Sequence, residues 1–140
     1  LTAGKKFKGD WEVGARFRYL GASPYTPYDA ALSSDRETWD LRGVALPDYD
    51  RLNEERTGAV HQLDMRVDKR WFFAKWSLDL YLDIQNVYNF QAPLAPSLTV
   101  VRDDNGDPLV DPTDRRRYST KEIQNFSGTI LPSIGIIIEL

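Results

Sequence analysis

Residues 60–89 read VHQLDMRVDKRWFFAKWSLDLYLDIQNVYN. Leu63, Met65, Val67 and Trp71 recur at every second or fourth position, and Gln62, Asp64, Arg66, Asp68 and Arg70 fall between them. After a short aromatic stretch, Trp76, Leu78, Leu80, Leu82 and Ile84 alternate with Ser77, Asp79, Tyr81, Asp83 and Gln85. Side chains on a strand point alternately to opposite faces, so this period of two predicts a hairpin with one apolar and one charged face. Each apolar row spans about nine residues, longer than the five or six of an ordinary strand and about what a tilted strand needs to cross a bilayer. A charged face along the whole length is unusual in a soluble sheet and expected of a barrel wall with lipid outside and water inside.

Opposed charges bear on the register of this hairpin. With Trp71 opposite Trp76, Asp64 faces Asp83 and Asp68 faces Asp79, which is unfavourable. A slip of two residues places Arg66 opposite Asp83 and Arg70 opposite Asp79, and that register is preferred. No Asn-Gly or Asp-Gly stands between the arms, so a connection of four residues or slightly more, around Phe72 to Lys75, is expected instead of a two-residue turn.

Working outward, residues 11–20 form another alternating row, with Trp11, Val13, Ala15, Phe17 and Tyr19 on one face and Glu12, Arg16 and Arg18 on the other. Residues 130–140 place Ile134, Ile136, Ile138 and Leu140 together. The fold expected is all-β: an antiparallel transmembrane β-barrel segment of about four long strands (11–20, 60–71, 76–88, 130–140). Residues 1–10 read as a polar lead-in. Residues 21–59 and 90–128 have no sustained period and read as two long extracellular loops, the second with a small hairpin tipped by Asn105-Gly106. The short turn then lies on the periplasmic side, with Trp11, Trp71 and Trp76 at that rim and Tyr19 and Tyr88 at the other. Leu63, Met65, Val67, Leu78, Leu80, Leu82, Ile84, Ile134, Ile136 and Ile138 are expected to face lipid, with Leu80 at the bilayer centre. Arg16, Arg18, Asp64, Arg66, Asp68, Arg70, Asp79 and Asp83 are expected to face the lumen. Lys69 falls on the lipid face, where only a place near the interface suits it.

Composition narrows the function. The chain has 140 residues, a net charge of −3 with acids and bases interspersed, and no cysteine. A general nucleic-acid binder would carry a basic stripe, and thiol chemistry and thiolate metal sites are excluded. No run of roughly 18 apolar residues is present, so no transmembrane helix is expected. The sequence begins at Leu1 and its one methionine is Met65, so it reads as a fragment or processed piece. His61 is the lone histidine and reads as a surface or interface residue. Asp103, Asn105 and Asp107 resemble the start of a calcium loop, but glycine follows at the fourth position and Asp114 stands where a Glu is required. Asp79 and Asp83 are about 13 Å apart along one strand, too far for a glycosidase pair. No nucleophile, base and metal constellation is present, so neither an enzyme nor a bound cofactor is expected. Tyr25, Tyr28, Trp39, Tyr49 and Arg102 are the loop candidates for contact with a ligand.

Four segments resemble the C-terminal end of TonB-dependent outer-membrane receptors, especially of the Bacteroidetes type: FRYLGASPYTPYD (Phe17 to Asp29), HQLDMRVDKRW (His61 to Trp71), YLDIQNVYN (Tyr81 to Asn89) and LPSIGIIIEL (Leu131 to Leu140). The resemblance implies a place in the bacterial outer membrane, in a barrel of about 22 strands closed by an N-terminal plug. It implies active import of a siderophore, vitamin or glycan. The implied partners are the rest of the barrel and its plug, membrane lipids, the barrel-assembly machinery acting on the last strand, and the TonB complex through an N-terminal box. Plug and box are not among these residues, and Leu140 stands where the family usually ends in Phe. The alternative reading is a soluble all-β carbohydrate-binding module, in which the apolar rows pack against one another.

Overall fold

A computed structural model describes residues 1–140. The chain is predominantly antiparallel β and divides into two compact units. The first comprises residues 1–21, 59–92 and 127–140; the second comprises residues 22–58 and 93–126.

The first unit is a five-stranded meander of β1 (Thr2–Phe7), β2 (Trp11–Leu20), β3 (Val60–Phe72), β4 (Ser77–Gln85) and β5 (Leu131–Glu139), each paired antiparallel with its neighbour in sequence. The expected four strands are thus five. Residues 1–10 supply β1, which a lead-in reading missed because Gly4 and two lysines interrupt its pattern. It turns into β2 through Lys8, Gly9 and Asp10, where Gly9 and Asp10 have φ of 77° and 60°, the left-handed region that glycine enters freely. The β3–β4 register has Arg66 opposite Asp83 and Arg70 opposite Asp79, as the charge argument prefers. Phe72 pairs with Ser77, so the connection is Phe73 to Trp76, closed by the Phe73 amide donating to the Trp76 carbonyl at 2.9 Å. Trp76 therefore lies in the turn, where its ring stacks on Phe73. At the other end β4 stops at Gln85 and does not run to residue 88. Asn86 and Asn89 adopt φ of 54° and 53°, which asparagine tolerates better than most residues, and the Asn86 side chain bonds both the amide and the carbonyl of Phe90.

The last strand is the most apolar, and Gly135 interrupts it for a reason. Gly135 pairs with Tyr81, and a Cβ there would overlap the tyrosine ring. That ring also receives the Arg66 guanidinium, 4.0 Å from its centroid. Replacing Gly135 with Val raises strand propensity but displaces the ring. A net loss of about 1 kcal/mol, the scale of one cation–π contact, is expected from the urea midpoint; a higher midpoint than wild type would contradict this packing.

The second unit contradicts the expectation of irregular loops. It holds helices α1 (Ala30–Ser34) and α2 (Arg36–Arg42), a 3₁₀ turn at Tyr49–Arg51, and two short strand pairs, Pro24–Tyr25 with Glu55–Arg56 and Ser97–Val100 with Thr120–Ile123. Helices of five and seven residues are too short to display a 3.6-residue period. Asp29 and Asp35 accept the amides of Leu32 and Thr38, and Gly43 closes α2 in the left-handed conformation. Trp39, Val100 and Tyr118 make the core, with Ala45 against it. The hairpin expected near residues 98–110 survives at its tip, where Arg102 bridges Pro108 and the Asp103 side chain accepts from Asn105 and Asp107. Ser97–Val100 itself pairs onward with Thr120–Ile123.

The Asp35 carboxyl is held below the usual carboxylate range, first by the Thr38 amide and then by the Thr38 hydroxyl, against a smaller effect of burial; the Arg117 charge adds to the lowering. Its folded pKa is lower than its unfolded one. Its contribution to stability is therefore complete above the ordinary value of about 3.9 and is lost as pH falls through the folded value. Hydrogen exchange of α2 is expected to stay slow at pH 5 and to quicken on acidification below the ordinary range. In Asp35→Ala it should be faster throughout, with that acid transition gone. An unchanged acid transition in the variant would assign it to another group.

Candidate functional site

The register puts every charged residue expected on one face onto one face. Arg16 pairs with Asp64, Glu12 with Asp68, Arg66 with Asp83 and Arg70 with Asp79. Strand parity adds Arg18, Tyr81, Ser133 and Glu139. The apolar row from Val13 through Val67 and Leu82 to Ile134 occupies the other face.

Burial runs opposite to that of a water-soluble sheet. On the apolar face Met65, Leu80, Leu82, Ile134, Ile136 and Ile138 are exposed, Ile134 at 76%. On the charged face Asp64 and Asp79 are buried, at 5% and 6%. Fully burying a large aliphatic side chain is worth about 1.5–3 kcal/mol, and Ile134, Ile136 and Ile138, the most exposed of these, forgo more than half of it in water; exposed ion pairs return only about 0–1 kcal/mol each.

Asp64 is the centre of the charged face. Its Oδ2 accepts from Arg16 Nε at 3.1 Å, Arg16 Nη2 at 2.9 Å and Arg18 Nη2 at 3.1 Å. Its Oδ1 accepts from Gln62 Nε2 at 2.6 Å and from the Asn86 amide at 3.0 Å. One carboxylate thus ties β2, β3 and the end of β4. Farther along, Arg66 turns away from Asp83, its cross-strand neighbour, and bonds Asp68 on its own strand at 2.6 Å. Arg70 meets Asp79 Oδ2 at 2.9 Å, and Ser77 donates to Glu139 at 3.1 Å. Asp79 Oδ1 is buried and accepts no hydrogen bond. It borders a cleft of about 440 Å³ also lined by Lys6, Glu12, Arg66, Asp68 and Arg70.

The rims of the apolar face are aromatic. At the short-turn end Phe7, Trp11 and Trp71 share this face, and Lys69 lies among them. Its ammonium sits 5.7 Å from the Trp11 centroid and 5.2 Å from that of Trp71, and donates to the Gly9 carbonyl. The lysine expected to be awkward there reaches the rim. Pairing of Lys69 with Leu80 moves Leu80 toward that rim too, so Leu82, flanked by Val67 and Ile134, is the middle of the row. At the other end His61 Nδ1 and the Tyr88 hydroxyl are 2.7 Å apart, and the His61 ring stacks near Phe90.

The loop candidates separate. Trp39 is 6% exposed and part of the second unit's core, so its ring is not open to a ligand. Arg102 donates to the Gly106 carbonyl at 2.7 Å and braces its own turn. Tyr49 is exposed. Tyr25 and Tyr28 come together in a cleft of about 360 Å³ with Pro27, Arg51, Glu55 and Glu122. Arg51, Glu55 and Glu122 were not singled out from sequence, where nothing distinguishes them from other loop charges. The Arg115 carbonyl accepts from Arg36, and Arg117 pairs with Asp114 at 3.3 Å.

No protein-family model, curated protein or solved structure matches this chain. No helix is long and apolar enough to cross a membrane, a criterion that does not bear on strands.

Proposed function

We propose that this chain is a wall segment of a TonB-dependent transporter in the bacterial outer membrane, contributing strands to its barrel and connections that contact the imported ligand. The observation that carries the reading is the inverted sheet: exposed Leu82, Ile134, Ile136 and Ile138 on one face, buried Asp64 and Asp79 on the other. Lipid is the solvent in which that apolar face costs nothing, and a wet lumen suits the charged one. Two further observations favour it. Both short turns, Lys8 to Asp10 and Phe73 to Trp76, close one end of the sheet, and both long connections leave the other, the asymmetry of outer-membrane barrels. The unpartnered Oδ1 of Asp79 beside a cleft of mixed charged and aromatic lining suits a face covered by further polypeptide, as a plug would cover it.

In this reading the segment binds and guides and does no chemistry. Tyr25, Tyr28 and Tyr49 are the aromatic groups left to meet a siderophore, vitamin or glycan. The rest of the barrel extends both edges of the sheet, the assembly machinery acts on β5, and the TonB complex engages the protein elsewhere. A soluble carbohydrate-binding module would need a second layer over the isoleucines of β5, and these are exposed. The test is fractionation of the whole gene product. It is expected in the outer membrane, with faster gel migration before heating than after. Recovery as a detergent-free soluble monomer would end this reading.

A further inference from the structure

The chain has six lysines, Lys5, Lys6, Lys8, Lys69, Lys75 and Lys121. Lys6, Lys8, Lys69 and Lys75 sit at the short-turn end of the five-stranded sheet, and Lys5, which pairs with Val13 in the row of Leu82, extends its ammonium toward Phe7 at that end. Lys6 pairs with Glu12 on the charged face. Lys5 and Lys69 stand on the apolar face by register, and Lys8 and Lys75 lie exposed in the turns. Of the acids at the same end, Glu12, Asp68, Asp79 and Glu139 lie on the opposite face, and Asp10 lies exposed in the turn beside Lys8, so lysines outnumber acids on this side. The apolar face therefore ends in a rim that is cationic and aromatic at once. Lys5 lies 5.3 Å from the Phe7 centroid, and Lys69 runs between Trp11 and Trp71.

We propose that this rim is a contact surface for the phosphate headgroups of anionic phospholipid. The proposal rests on the membrane reading above and adds to it a lipid class and a leaflet, that of the short turns. An ammonium has three N–H donors, and the Lys69 group spends one on the Gly9 carbonyl, which leaves two to reach outward. Its stem lies along indole rings, the arrangement in which a lysine on an apolar surface carries its charge to the headgroup level. Lys5, two strands away, reaches the same rim with its ammonium 5.3 Å from the Phe7 centroid. Charge selects the occupant: a rim with Lys5, Lys8, Lys69 and Lys75 against the one acid Asp10 attracts an anionic surface over a neutral one, and the apolar face continuous with it selects a lipid over a free phosphate ion. The opposite rim, with Tyr19, His61, Tyr88 and Phe90, carries no lysine.

The experiment is co-flotation of the full chain with vesicles of phosphatidylcholine alone and of phosphatidylcholine mixed with phosphatidylglycerol. Phosphatidylglycerol is expected to raise the partition coefficient at low salt by roughly tenfold. High salt should remove that gain, and so should the combined variant Lys5→Gln, Lys69→Gln, Lys75→Gln, which should still float with phosphatidylcholine. If wild type binds both vesicles alike, or if the variant keeps the gain, the headgroup proposal is overturned while the membrane reading stands. If the wild-type chain floats with neither vesicle, the membrane reading falls and takes this proposal with it.

Discussion

Leu82→Arg is expected to cost about 2–4 kcal/mol, the scale for a cation at the midplane of a barrel's lipid face, or to block assembly outright. Leu82 has Val67 on one side and Ile134 on the other, its neighbours along β4 on that face are Leu80 and Ile84, and the nearest cation in its cross-strand row is Lys5, beyond Val13 on the edge strand. A guanidinium there has no carboxylate on its own face and must drag water inward or distort the sheet. The same substitution at Leu78, opposite Trp71, should cost only about 0–1 kcal/mol, because an arginine there reaches the interface. Ser133→Arg makes the polar-face control. Ser133 is exposed and faces Asp83, so a new cation gains a partner. Ser77, though on the same face, is unsuitable, since it is buried against Glu139. Urea unfolding of the three variants in vesicles checks the series. Equal costs at Leu82 and Ser133 would contradict the assignment of faces.

Asp64→Ala is expected to cost about 2–4 kcal/mol. Two effects contribute. The Asn86 amide loses its acceptor inside the structure, where an unsatisfied donor costs about 1–3 kcal/mol. Arg16, Arg18 and Gln62 also lose a shared partner. That second loss is moderated, because the two arginine side chains are about half exposed and keep part of their hydration. The full penalty of stranding a buried charge does not apply. The damage should be local first. Exchange of the Asn86 and Phe90 amides should quicken, since the Asn86 side chain that clasps Phe90 is positioned by the bond from Asp64. Asp83→Ala is the contrast: Arg66 faces Asp83 but bonds Asp68, so a change within about 0.5 kcal/mol is expected. A similar loss at both sites would mean that general charge balance, and not the hub at Asp64, holds the rim together.

The sheet was legible because its two constraints are local and redundant. Alternation assigned the faces of β2 to β5. The cost of opposing Asp64 to Asp83 selected the register, two independent reasons pointing to one arrangement. β1 escaped because an edge strand need not be apolar, and Thr2–Phe7 pairs through its backbone with little alternation to betray it. The second unit escaped because helices this short carry no periodic signal, and their caps, Asp29, Asp35 and Gly43, are residue types equally common in irregular turns. Side-chain roles in that unit were least legible. Trp39 and Tyr49 look alike in sequence, one filling a core and the other standing in solvent, and only packing separates them. Arg102 suits a ligand contact by residue type, but it donates to the Gly106 carbonyl of its own turn. Lys69 shows the reverse case: an apparent exception to the pattern is resolved by Trp11, a residue far away in sequence.

The central claim is that β4 has lipid on one face and water on the other. The chain has no cysteine, so single cysteines can be placed from Ser77 to Gln85 and spin-labelled in vesicles. The account predicts that collisions with oxygen, which concentrates in lipid, peak at residues 78, 80, 82 and 84, while collisions with a water-soluble nickel chelate peak at 79, 81 and 83. An apolar row shielded from both reagents, as in the core of a soluble sandwich, would contradict it.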